Sequence, residues 1–145
     1  MIRKLIIAFI FLILCSSNAD ASMYSSDYNR EAGTIIAAVQ IKGKGIYNLI
    51  VTIQFMRKPQ DNKVYKSDEY EKYMDRLAIE SRGIALKKIL ERKELAVSDL
   101  NELRKVIETE IRNHAAQLKK NLIPNHNVEV VFSISNFYLL EPHVR

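Results

Sequence analysis

Hydrophobic and polar positions follow three rhythms along this chain. Leu5 to Cys15 is apolar without interruption, and the residues from Ser16 to Ala32 are mostly polar, with Tyr24 and Tyr28 among them. Thr34 to Ile41 is rich in β-branched and apolar residues, and Lys42-Gly43-Lys44-Gly45 breaks the run before Ile46 to Met56 resumes it. Glycines around a single lysine between two such runs predict a hairpin, because glycine adopts the positive φ that a tight turn needs. In the second run Leu49, Val51, Ile53 and Phe55 alternate with Ile50, Thr52, Gln54 and Met56. One face is apolar throughout and the other mixed, which predicts a strand with one side against a core.

The rhythm then changes to helical spacing. After a polar connection at 57–66 with Pro59 and Asn62, Tyr70, Tyr73, Met74, Leu77, Ile84, Leu86, Ile89 and Leu90 predict a helix from Asp68 to about Arg92, with Gly83 as a weak point or kink. A second helix is expected from Ser98, whose hydroxyl would cap the first turn, with Asp99 and Glu102 set against the positive end of the helix dipole. Its stripe is Leu100, Leu103, Ile107, Ile111, His114, Leu118 and Leu122, and it must stop before Pro124, which lacks the N–H to continue. From Val128 to Leu140 the alternation returns, with Val128, Val130, Phe132 and Ile134 on one side.

The order is therefore strand, strand, helix, helix, strand. It predicts an α+β domain: an antiparallel sheet made of an N-terminal hairpin and a C-terminal strand, covered on its apolar face by two helices. The expected organisation is a signal peptide at 1–21, a polar tether at 22–33, the α+β domain at 34–140 and a C-terminal tail at 141–145.

The N-terminal run sets the compartment. Arg3 and Lys4 precede it, and Ala19 and Ala21 place small residues where signal peptidase reads, so cleavage after Ala21 and export to the periplasm or beyond are expected. The alternative is an inner-membrane anchor through residues 5–19. Eleven apolar residues at ~1.5 Å each cover only about half of a ~30 Å hydrocarbon core. Lipidation at Cys15 would want a small residue before the cysteine, and Leu14 is bulky. With cleavage the only cysteine, Cys15, is lost, so the mature chain forms no disulfide and depends on packing for stability.

Charge excludes little but argues against nucleic acid. The full chain carries a formal +5, and loss of Arg3, Lys4 and Asp20 leaves +4, spread evenly along the domain. Candidate chemistry is sparse. Lys42-Gly43-Lys44-Gly45 lacks the phosphate-loop pattern, and no serine occupies a Gly-x-Ser-x-Gly elbow. His114, His126 and His143 lack the spacing of a zinc motif, and His114 reads as a half-buried helix residue with a hydrogen-bonding neighbour. The glutamates are interleaved with basic residues, Glu108 and Arg112 being an i,i+4 pair, as on a solvated helix face. Tyr65, Tyr70 and Tyr73 form either a recognition patch or part of the core. No catalytic, cofactor-binding or metal-ligating residue is assigned, and binding or assembly is the expected occupation.

Four segments carry a family resemblance: Ile46-Tyr-Asn-Leu-Ile-Val-Thr-Ile-Gln-Phe55, Arg82-Gly-Ile-Ala-Leu-Lys-Lys-Ile-Leu90, Ser98-Asp-Leu-Asn-Glu-Leu-Arg-Lys-Val-Ile-Glu-Thr-Glu-Ile111 and Val128-Glu-Val-Val-Phe-Ser-Ile-Ser-Asn-Phe137. From about Thr34 to Leu140 the chain resembles the periplasmic domain of the FliL family of flagellar basal-body-associated proteins. The resemblance implies a stomatin-like fold and a non-enzymatic protein without cofactor. It also implies a place at the outer face of the inner membrane, with the flagellar stator or further copies of itself as protein partners.

Overall fold

The structure, a computed structural model, describes residues 29–57 and 67–141, with side chains at 32–55 and 67–141. The signal segment with Ala19 and Ala21, as well as Tyr65 and His143, lies outside the described residues. The described residues from Glu31 onward form one compact unit. The elements are β1 (Asn29–Ile41), β2 (Gly45–Arg57), α1 (Asp68–Leu90), a single 3-10 turn at Val97–Asp99, α2 (Leu100–Leu122) and β3 (Val130–Leu140). They form an α+β fold around a three-stranded antiparallel sheet in the order β1-β2-β3, as the sequence pattern predicts. Strand β1 begins at Asn29, so residues 29–33 belong to the sheet rather than to the polar tether.

Strand β2 is central and supplies the middle of the core. Leu49, Val51, Ile53 and Phe55 are each fully buried, facing the helices together with Ile35, Ala37, Val39 and Ile41 of β1. The β1-β2 turn closes through Lys44 N–H donating to the Ile41 carbonyl at 3.0 Å, with Gly43 and Gly45 at positive φ. Beyond it, the inter-helix loop docks on the end of β1: Lys42 N–H donates to Leu95 O and Leu95 N–H to Gln40 O, both at 2.9 Å.

The side-chain alternation shifts twice, on one line across the sheet. On β1, Ala32 and Ile35 are both buried although three residues apart, with Gly33 between them at φ 102°. On β3 the pairing slips by one residue, Thr52 opposing Asn136 while Ile53 opposes Ile134, so Ser135 is a bulge. Thr52 ties the two irregularities together. Its hydroxyl lies 2.9 Å from that of Thr34 and accepts from Asn136 Nδ2 at 3.1 Å, and Ser135 Oγ donates to its carbonyl at 3.4 Å. The bulge turns Phe137 and Leu139 inward, where they pack on the core opposite Val51 and Leu49.

Helix α1 is capped by Ser67, whose side chain accepts from Tyr70 N–H at 3.3 Å, and it carries acids in its first turn and lysines in its last. It runs unbroken through Gly83. Helix α2 begins at Leu100 after the 3-10 turn; Ser98 Oγ donates to Asp99 Oδ1 at 2.9 Å instead of capping, and Asp99 occupies the N-cap position without a side-chain bond. The expected Ser98 cap is thus corrected, because the extra tight turn moves the free N–H groups beyond its reach. Leu103, Ile107, Ile111 and Leu118 are buried as the stripe predicts. On α1 the expected stripe needs correction, since Leu86 and Leu90 face outward while Ser81 and Ala85 pack inside.

Two outcomes follow from the packing. Replacing the fully buried Ile111 with Asp puts an unpaired charge in the core and costs about 3–5 kcal/mol, read from chemical denaturation. The two glycines respond with opposite sign. Gly33→Ala strains a positive-φ position whose Cβ would sit 3.4 Å from the Arg82 guanidinium, and loses about 1 kcal/mol or more; Gly83→Ala meets nothing within 4 Å and gains about 0.5–1 kcal/mol. Paired thermal melts of the two variants read both signs.

Candidate functional site

Helices α1 and α2 form an antiparallel pair, and a line of polar contacts runs along their seam. Arg92 meets Glu102 at 3.8 Å and Lys88 meets Glu110 at 3.3 Å, the second pair holding the Lys88 ammonium above its ordinary pKa mainly through the Glu110 hydrogen bond. Further along, His114 Nε2 stands 2.5 Å from Glu80 Oε2, while Arg76 Nε donates to Glu80 Oε1 at 2.8 Å. Both carboxylate oxygens are therefore engaged. A carboxylate–imidazole pair can orient a base for proton transfer; here it joins α1 to α2, with Arg76 holding the second carboxylate oxygen. The half-buried His114 with a hydrogen-bonding neighbour is what the sequence predicts.

Beside the seam lies a groove of about 360 Å³ between the second half of α2 and the start of β3. Tyr73, Ala115, Val128 and Phe132 give it apolar walls, and Arg112 and Lys119 stand at its margin. Both cations already have roles. Arg112 lies over the Phe132 ring at 5.6 Å, and Lys119 Nζ donates to the Val128 carbonyl at 2.7 Å. The expected Glu108–Arg112 pair is accordingly replaced: Glu108 takes Arg104 Nε at 3.0 Å, one turn earlier, and Arg104 Nη2 donates to Ile134 O at the margin of β3. At the floor, Tyr73 OH donates to the Ala115 carbonyl at 3.4 Å, and burial pushes its pKa up to about 12. Tyr70 and Tyr73 are buried core residues with ring centroids 6.2 Å apart, so the recognition-patch reading is withdrawn for both.

Among the described residues no group of three or more His, Cys, Asp or Glu side chains is placed to hold a metal, and no helix is long and apolar enough to cross a membrane. The chain matches no family model, no curated protein and no solved structure.

What the sequence reading missed are two exposed apolar surfaces. On α1, Ile79 and Leu90 are 61% and 64% exposed and lie with Leu86 on the side opposite the buried stripe. Nine residues at ~100° each place Ile79 half a turn from Tyr70, a displacement readable from the helical wheel. The second surface is the outward face of the sheet. Ile36 and Ile46 are 66% and 61% exposed there, and Tyr138 and Leu140 about half exposed. The sequence signal for it is the absence of charge: no residue from Ala32 to Ile41, Gly45 to Phe55 or Val130 to Leu140 is ionisable at neutral pH, in a chain that is 27% charged.

The seam predicts a pH dependence. The Glu80 carboxyl is held below its ordinary range, first by the Arg76 hydrogen bond and then by the His114 hydrogen bond and both positive charges, with burial opposing. A carboxyl depressed in the folded state stabilises above its unfolded pKa and loses that contribution as pH falls through the folded value. Glu80→Gln should therefore melt below the parent at about pH 7, by no more than about 1 kcal/mol, with the gap closing as the pH falls below the ordinary carboxylate range.

Proposed function

We propose that this protein is an exported, non-enzymatic accessory element of an envelope assembly, related in pattern to FliL and working at the flagellar motor or a similar machine. The observation that carries the reading is the placement of exposed apolar groups on two opposed surfaces, the outward sheet face and the back of α1. Large apolar groups gathered on a surface mark interaction sites, whereas single ones are ordinary. The basic, small-residue sequence before Ser22 supports export, and the strand, strand, helix, helix, strand order supports the FliL likeness.

A second reading rests on the groove between α2 and β3. Apolar walls with Arg112 and Lys119 at the rim suit a short acidic peptide or an anionic cell-wall fragment. That role would require Lys119 to leave the Val128 carbonyl.

Deleting the gene separates the two. The assembly reading expects slower swimming or surface motility in viscous medium, with stator components cross-linked to the protein in the parent. Normal motility with no such cross-links, together with salt-sensitive capture of a soluble anionic ligand, would replace it with the binding module.

A further inference from the structure

We propose that the outer edge of β3, from Val130 to Ile134, is a strand-addition site for an extended segment of another protein, one that alternates apolar residues and carries an acid opposite Arg112. The inference rests on the binding reading of the α2–β3 groove and deepens it: the ligand is a peptide, and its backbone pairs along the side of the groove.

Backbone direction is the first observation. Arg104 Nη2 reaches the Ile134 carbonyl from α2 at 3.0 Å, so that carbonyl points away from β2. Directly opposed residues in an antiparallel pair alternate between those that exchange hydrogen bonds and those whose N–H and C=O groups face outward. With Ile53–Ile134 and Phe55–Phe132 of the outward kind, Gln54–Ser133 and Met56–Val131 carry the bonds to β2. The N–H and C=O groups of Val130 and Phe132 therefore project from the edge of the sheet, where no strand lies beside them among the described residues. Natural edges are guarded by charge, proline or a bulge. The stretch from Val130 to Ile134 holds no charged residue and no proline, and the bulge comes only at Ser135. The opposite edge is partly covered, since the inter-helix loop bonds to Gln40 and Lys42 at the end of β1.

The side chains give the second observation. Ile53 and Phe55 are fully buried, but Val130 and Phe132, on the same face of the sheet, are only half-buried. The apolar layer is unfinished at this edge. The groove of about 360 Å³ continues it, with Tyr73, Ala115 and Phe132 as walls. An added strand sends every second side chain to that face. Main-chain bonds then supply affinity while the groove selects the side chain. At ~3.3 Å per residue the edge from Val130 to Ile134 is about 13 Å long and takes about five residues.

Charge identifies the occupant. Arg112 rests on the Phe132 ring rather than on a carboxylate, which leaves its fork of N–H donors for an incoming acid. Lys119 keeps the Val128 carbonyl in this arrangement. Glu129, which also lines the groove, is already engaged. A second copy's β3 cannot answer Arg112, because Val130 to Leu140 contains no acid. The fit is to a different chain.

The test begins with the full-length protein and a displayed library of random octapeptides. The expected enrichment is an alternating apolar sequence with one Asp or Glu, and its consensus peptide, made synthetically, is the probe. Amide hydrogen exchange followed by NMR should find Val130 and Phe132 fast and Val131 and Ser133 slow in the free protein, with the first two slowed at least about tenfold by the peptide. Methylating alternate amides of the peptide should raise the dissociation constant at least about tenfold in one phase and leave it unchanged in the other. Exchanging the peptide's acid for its amide should weaken binding to the parent but not to Arg112→Gln, whose thermal melt shows that it is folded. Binding that depends on Arg112 but on neither methylation phase keeps the groove reading and overturns strand addition. An absence of enriched peptides, or capture of an anionic cell-wall fragment alone, overturns it too and removes the peptide from the groove. Slow exchange at Val130 and Phe132 in the free protein also overturns it, since the edge would then be covered by this chain or by a second copy.

Discussion

The antiparallel pairing of β2 with both of its neighbours is the constraint on which the rest of the structure depends. One residue in two along β2 is fully buried against the helices, and these four side chains give both helices their common floor. Antiparallel pairs place directly opposite residues on the same face. Leu139, Phe137, Ile134 and Phe132 are thereby aimed inward by Leu49, Val51, Ile53 and Phe55. Phe55 and Phe132 meet with ring centroids 6.2 Å apart, which closes the layer beneath the groove.

The helix layer is held differently on its two sides. Towards the sheet it is packed; along the seam it is joined by ion pairs, with side chains such as Arg92 and Glu102 open to water on the outer part. Exposed pairs of this kind contribute little each, so the seam sets the register of α1 on α2 while burial sets the stability. The division leaves Ile36, Ile46, Tyr138 and Leu140 on the outer sheet face, and Ile79 and Leu90 on the back of α1, exposed to water, which is the observation that the proposed accessory role rests on.

Much of this was legible in the sequence where periodicity is regular. The hairpin at Lys42–Gly45, the stripe Leu103, Ile107, Ile111 and Leu118, and the stop before Pro124 follow from spacing and backbone chemistry alone. Alternation failed to predict what lies beyond a bulge: one extra residue at Ser135 reverses the parity of everything after it, so Phe137 and Leu139 turn inward unannounced. Gly33 does the same on β1. On α1, counting apolar residues without fixing their angle assigned Leu86 and Leu90 to the core, although the small Ser81 and Ala85 occupy it. The outward sheet face was readable only as a missing signal, the absence of charge, which no motif marks.

The central claim is that the helices pack on one face of the sheet while Ile36, Ile46, Tyr138 and Leu140 stand exposed on the other, and tyrosine labelling tests it directly. Hydroxyl-radical footprinting of the full chain in dilute solution should modify Tyr138 readily while Tyr70 and Tyr73 stay protected until the protein unfolds. Protection of Tyr138 equal to that of Tyr70, or early modification of Tyr70 and Tyr73 in the folded protein, would contradict the one-sided core and the assembly reading built upon it.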